Sequence, residues 1–155
     1  MTSTAPQHDH HPTTIDETAP VIADHSIRIT APLDRAWQLH TDIASWPQWL
    51  SAVTEARIDG PLTPGTAFHW ATAGMSIEST VYAVDPAVHR ILWGGPAHGI
   101  TGIHEWTFTE DGDDVVVRTR ESWSGAPVDA DRTTLAAALD DALTTWLTAL
   151  KQAAE

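Results

Sequence analysis

Between Asp131 and Ala154, the residues Leu135, Leu139, Ala142, Leu143, Trp146, Leu147 and Leu150 recur at steps of three and four. That spacing lays a broad apolar stripe along one long helix, and Asp131 is placed to cap its start. A stripe of this width has to be buried against something, and most of what precedes it reads as strands. Loose alternation from Val21 to Thr30 suits a half-buried strand. Pro32 then opens a helix in which Leu33, Ala36, Trp37, His40 and Ile43 repeat at helical spacing, and Pro47 separates it from a second short helix ending near Trp49. Further strands are predicted at Val53–Asp59, Thr66–Ala73, Met75–Asp85 and Arg90–Gly94, divided by Gly60-Pro61, Ala73-Gly74 and Asp85-Pro86.

Two last strands surround the acidic turn Glu110-Asp111-Gly112-Asp113-Asp114. The result is an antiparallel meander of about seven strands with one face to cover, and the C-terminal helix is the element that can cover it. The fold expected is α+β, a helix-grip in which the curved sheet wraps around the long helix and two short helices follow the first strand. Such an arrangement tends to leave a cavity between sheet and helix, and cavities of that kind bind small molecules.

The composition sets limits on function. With 155 residues, 42% of them hydrophobic, the chain supports one core. Residues 1–20, rich in Thr, Pro, His and Asp, read as a flexible tail, and 21–155 as a single ligand-binding domain. Twenty-one acidic residues against eight basic ones give a net charge of −13, which opposes nucleic acid and membrane surfaces as partners. The absence of cysteine removes thiol nucleophiles, disulfides and Cys-ligated zinc. His8, His10 and His11 lack a fixed geometry in such a tail, so no metal site is expected. Gly94-Gly95-Pro96-Ala97-His98-Gly99 lacks the Lys-Ser/Thr of a phosphate loop and reads as a mobile gate; no cofactor is expected. Without a membrane-length apolar run or a signal-peptide core, the expectation is a cytoplasmic monomer or homodimer.

The strongest chemical signal lies on the hairpin. A turn centred on Gly112-Asp113 sets Phe108 against Val117, Trp106 against Thr119 and His104 against Glu121, all on one face. Opposed Cβ atoms stand roughly 4.5–5.5 Å apart, so the imidazole and the carboxylate are within reach of each other. A one-residue slip would oppose Arg120 to His104, two cations, and so the stated register is preferred. The pair reads either as proton-transfer chemistry or as a satisfied polar contact that supports an apolar face.

The same rule at Ala73-Gly74 opposes Trp70 to Ile77 and Phe68 to Ser79, a second apolar wall; His69 and Glu78 fall on the other face. Trp93, Trp106, Trp123 and Trp146 also point inward, and so many indole N–H groups need polar partners or a ligand. His98 and Trp46, the latter with Pro47 and Trp49, are candidates for the cavity mouth. His25, on the first strand, either joins Glu121 or is capped by a main-chain carbonyl. His40 and His89 give no such signal and are expected to be exposed.

The segments Ala31-Pro32 with Ala36-Trp37, Asp42 through Trp46-Pro47-Gln48-Trp49, Phe68-His69-Trp70, Ile77 to Val81, Val84-Asp85-Pro86, Ile91-Leu92-Trp93, His104-Glu105-Trp106 and Glu121-Ser122-Trp123-Ser124-Gly125 resemble the bacterial polyketide cyclase/dehydrase and lipid-transport family, part of the START-like superfamily of helix-grip proteins. The resemblance spans roughly Val21 to Ala154. It implies the fold strongly and the reaction weakly, because that superfamily holds aromatase/cyclases as well as lipid and hormone carriers. Two functions follow as expectations. In one, His104 and Glu121 perform cofactor-free cyclisation, dehydration or isomerisation of an aromatic, polyketide-like substrate, with Glu121 holding His104 in its charged form and the imidazole exchanging protons with the ligand. In the other, the pair anchors a ligand in a carrier or sensor of a hydrophobic small molecule or lipid.

Overall fold

The computed structural model describes residues 11–155. Seven strands form one antiparallel sheet: β1 (Val21–Ile29), β2 (Val53–Ile58), β3 (Ala67–Thr72), β4 (Met75–Asp85), β5 (Arg90–Ala97), β6 (Ile100–Asp111) and β7 (Asp114–Ser124). Their spatial order is β1-β7-β6-β5-β4-β3-β2, so the chain after β2 is a simple meander and β1 returns to the far edge beside β7. Helices α1 (Leu33–Thr41) and α2 (Trp46–Trp49) follow β1, joined by a 3₁₀ turn at Ile43–Ser45. Pro47 sits in the first turn of α2, where its missing N–H costs nothing, rather than breaking α1, which ends at Thr41. A five-residue helix the periodicity does not signal, α3 (Ala126–Ala130), precedes the long α4 (Arg132–Ala154), whose Asp131 side chain accepts from the Thr134 N–H at 3.4 Å.

Helix α4 lies across the inner face of the sheet. Leu139 and Leu143 pack with Val21, Ala23 and Val128 in one cluster, while Trp146, Leu147 and Leu150 join the larger core built on Ile43, Trp46, Phe68, Trp93, Trp106 and Phe108. Ala142, counted on the stripe, is exposed. Both hairpin registers follow the reading from the turns: Phe68 opposes Ser79 and Trp70 opposes Ile77, while His104 opposes Glu121 and Trp106 opposes Thr119.

Two segments differ from expectation. Gly94 to Ala97 is strand rather than a mobile gate, pairing with Ile100 to Ile103. A Cβ at Gly94 would stand 2.1 Å from the Gly102 carbonyl oxygen, so glycine serves close strand approach there. Residues 11–20, expected in a flexible tail, lie on the outer face of the sheet. Ile15 is only 2% exposed and packs with Leu92 and Ile103. Arg90 donates to the Thr13 carbonyl at 2.8 Å, Arg120 reaches Glu17 at 3.2 Å, and the Asp16 N–H donates to Ser122 Oγ at 3.0 Å. A lone isoleucine among polar residues carries no periodicity, which is why its anchoring leaves no pattern in the sequence. His8 and His10 lie outside the described residues; His11 stacks beside Tyr82 with ring centroids 5.4 Å apart.

Candidate functional site

On the inner face of β6 and β7, Glu121 Oε1 stands 3.2 Å from His104 Nδ1, with the imidazole side chain 1% exposed and the carboxylic side chain 15%. The other ring nitrogen, Nε2, lies 2.7 Å from Thr119 Oγ1, and the Thr119 hydroxyl donates to the Glu105 carbonyl at 3.0 Å. Because that hydroxyl has spent its single proton on the carbonyl, it can only accept from His104, which fixes the proton on Nε2. Nδ1 is left as the acceptor facing Glu121. The second carboxyl oxygen, Oε2, receives the Trp123 indole N–H at 2.8 Å.

Burial pushes the Glu121 carboxyl up to about 8, against a smaller opposing effect of the Trp123 hydrogen bond. Burial also holds His104 well below its ordinary value, helped by the nearby His40. At neutral pH the pair is therefore a protonated acid beside a neutral imidazole. This corrects the expectation of an imidazolium held by a carboxylate: removing both groups from water disfavours both charges, and each settles in its neutral form.

Of the aromatic residues assigned to the site, Trp46, Phe68, Trp70, Trp93, Trp106 and Trp146 converge, and they fill the space between sheet and helix, whereas Trp123 packs with Val21, Ala23 and Val128. Trp146 from α4 has ring centroids 5.0 Å from Trp46, 6.0 Å from Trp93, 5.5 Å from Trp106 and 5.6 Å from His104. Phe68 stands 5.2 Å from Trp93. Trp70, half-buried, donates to Ser79 Oγ at 3.1 Å. Beside Trp70 and Ile77 the surface opens into a groove of about 690 Å³, walled also by Pro47, Ala56, Arg57 and Glu78. A facing rule gives the side of the sheet a residue occupies; it does not say whether neighbours leave room between them.

Other assignments diverge. His40, expected to be exposed, is fully buried on α1 with its ring centroid 4.1 Å from that of Trp106, and burial lowers it to about 3. The signal was in the helical spacing, which puts His40 on the same stripe as Leu33 and Ala36. His40 Nδ1 and Nε2 and the Nε1 of Trp93, Trp106 and Trp146 are buried and find no hydrogen-bond partner among the described residues. Each such group costs about 1–3 kcal/mol if left unpaired. His25 does not reach Glu121; it lies opposite Thr119 in register, and its ring bonds Asp140 on α4 at 2.8 Å. Trp46 is a core residue rather than a lip, its indole donating to the His40 carbonyl at 2.8 Å. His98 is exposed in the β5–β6 turn and donates to the carbonyl of Ser76, a residue of the groove wall, at 3.1 Å. Partly buried His89 packs edge-on against Trp37 with ring centroids 5.3 Å apart. Thr119 and Gly102, which shape the pair, carry no chemical signal of their own. Among the described residues no cluster of three or more His, Cys, Asp or Glu side chains is placed to hold a metal ion, and no helix is long and apolar enough to cross a membrane.

A seven-stranded antiparallel sheet gripping a C-terminal helix, with two short helices after the first strand, defines the helix-grip class. The sequence profile of the family described as polyketide cyclase / dehydrase and lipid transport matches residues 20–155, and the chain belongs to that family. Similar solved structures include a hypothetical protein of Helicobacter pylori, 21% identical with TM-score 0.79 over 91% of this chain and 92% of that one. The Zhui aromatase/cyclase of Streptomyces sp. R1128 is 17% identical with TM-score 0.75, covering 86% of this chain and 92% of the other. A START superfamily protein of Mycobacterium smegmatis is 12% identical with TM-score 0.72, covering 86% and 96%. At these identities the likeness concerns the fold. No curated protein sequence matches the chain.

Proposed function

We propose that this protein binds a small hydrophobic, aromatic molecule of polyketide-like character against the inner sheet face, entering beside Trp70 and Ile77, and that the His104–Glu121 pair exchanges protons with it in a cofactor-free cyclisation, dehydration or isomerisation. The observation that carries this reading is a carboxyl and an imidazole 3.2 Å apart among indoles, where burial raises the one and lowers the other. A neutral acid beside a neutral base, shielded from water, suits proton transfer at a carbon next to a carbonyl, and a positioned acid/base contributes about 10²–10⁴-fold. The family description and the aromatase/cyclase among the similar structures support the ligand class. The net charge of −13 supports a protein working without nucleic acid or anionic membrane, here read as cytoplasmic and as a monomer or homodimer.

A second reading, a carrier or sensor, is favoured by the unpaired nitrogens of His40, Trp93, Trp106 and Trp146. Three indoles and a neutral imidazole supply four N–H donors and one acceptor, enough to hold a ligand's oxygens with no chemistry at all. Titration with 1,8-dihydroxyanthraquinone and with linear β-hydroxyketones, followed by tryptophan fluorescence, tests binding. Incubation and mass and NMR analysis then divide the readings. An enzyme releases water or an isomer in buffer containing chelator, a carrier returns the molecule unaltered, and no saturable quenching across the panel ends both.

A further inference from the structure

Resting on the binding reading above, we propose that Glu121 is the group that meets the ligand, that His104 acts only through it as a positioning residue, and that Gly102 leaves the carboxyl uncrowded on the β6 side. The two side chains are unequal in access. His104 is walled by Trp93, Trp106 and Trp146, with ring centroids 4.7, 5.1 and 5.6 Å away. Its Nε2–H is taken by Thr119 and its Nδ1 is blocked by Glu121. No ligand atom approaches either nitrogen without displacing one of those neighbours. The carboxyl differs: 15% of the Glu121 side chain is open, against 1% for His104, and each of its oxygens keeps a lone pair beyond its contact with His104 or Trp123.

Gly102 sets the room around that carboxyl. It sits opposite Trp123 in the β6–β7 ladder, and a Cβ there would come within 3.3 Å of Glu121 Oε2 and 3.4 Å of Trp123 Cδ1. The backbone does not demand glycine at this position, since its φ is outside the positive range that six other glycines adopt. What the missing side chain provides is room for Glu121 Oε2 and the Trp123 indole, and any β-carbon would crowd both.

The proton balance closes within the pair. At rest one proton is shared, on Glu121 Oε1 facing His104 Nδ1. Glu121 Oε2 takes a proton from a ligand carbon next to a carbonyl as the Oε1 proton passes to Nδ1. The C–H electron pair becomes the enolate, and His104 becomes an imidazolium that donates to Glu121 on one side and Thr119 on the other. Positive charge thus appears only while the ligand is negative. Returning a proton from Oε2 to another ligand atom, with Nδ1 giving its proton back to Oε1, restores the starting state.

The test uses the intact protein, modified on separate samples with a water-soluble carbodiimide plus glycine ethyl ester and with diethyl pyrocarbonate, and mapped by peptide mass spectrometry. Glu121 is expected to be amidated in the wild type and to lose most of that modification in Gly102→Ala, while His98 is ethoxyformylated and His104 is not. The ¹⁵N signals of the His104 ring should show a neutral Nε2–H tautomer across the range in which a free imidazole titrates, a reading that stands even if Gly102→Ala misfolds. Modification of His104 in the folded protein, a His104 that titrates in that range, or a Glu121 that stays unreactive while exposed Glu110 reacts overturns the assignment. None of these measurements needs a ligand. Failure of the panel to bind therefore ends the binding reading, whereas a reactive His104 with binding intact ends only this division of roles.

Discussion

Glu121→Gln offers a direct measure of how much the fold tolerates a protonated acid in its interior. The carboxyl is raised from 4.5 to about 8 by burial. A group whose folded value lies above its unfolded one stabilises fully below the unfolded value and loses that contribution as pH rises through the folded one. Between pH 6.5 and 8 the unfolded chain carries Glu121 ionised while the folded protein still holds the proton. At 1.36 kcal/mol per pH unit, tapering near the folded value, wild-type stability should fall by roughly 1.5 kcal/mol across this window. For a domain of this size that is about 3–6 °C in Tm. Glutamine keeps an N–H toward His104 Nδ1 and a carbonyl toward the Trp123 indole, because the partner is a neutral imidazole and needs no charge to hold it. The variant should therefore fold, and its stability should be flat over the same window. Histidines lowered by burial, His40 and His104, act in the opposite sense: their contribution is lost as pH falls below 6.5, and that acid arm should survive in the variant. Urea unfolding followed by tryptophan fluorescence at several pH values measures all of this. If Glu121→Gln loses as much stability between pH 6.5 and 8 as the wild type, the carboxyl is not the titrating group and the neutral-pair description is wrong.

Further outcomes are open to measurement. His40→Phe should hold or raise stability, since it removes two buried nitrogens without partners at about 1–3 kcal/mol each, yet weaken anthraquinone binding; calorimetric unfolding and fluorescence titration read the two effects separately. Gly94→Ala should destabilise strongly and broaden the β5–β6 amide signals, because its Cβ would stand 2.1 Å from the Gly102 carbonyl; an unchanged Tm would contradict the close strand approach. Leu150→Ala, a fully buried contact of α4 with the core, should cost about 2–5 kcal/mol in urea unfolding.

Periodicity and turn chemistry account for most of what could be read in advance. Strand faces follow a period of two, so fixing the turns at Gly112-Asp113 and Ala73-Gly74 determined every opposed pair, His104 and Glu121 among them. The step of three and four located α4 and placed His40 on a buried stripe, although a lone histidine invites the assumption of solvent. Contacts between elements left no such trace. Nothing in the local sequence tells that His25 meets Asp140 across the β1–α4 interface, or that Trp146 fills the space in front of Trp93. Protonation was illegible for the same reason. The spacing brings an acid to a base, while burial, a property of the whole fold, decides that both are neutral.

The outer clasp of residues 11–20 bears on how the protein is cut. Ser122, which receives the Asp16 N–H, is the immediate neighbour of Glu121, and Glu105, which binds both Arg90 and Arg120 under the clasp, is the immediate neighbour of His104. A sheet is one backbone thick, so the two surfaces of β6 and β7 are held by alternate residues of the same strands. Trimming the chain to the span matched by the family, 20–155, deletes Ile15 and bares Leu92 and Ile103. It also slackens, from behind, the two strands that carry the acid and its imidazole. A shortened protein that folds but handles ligand poorly would be reporting a missing brace rather than a missing active-site residue.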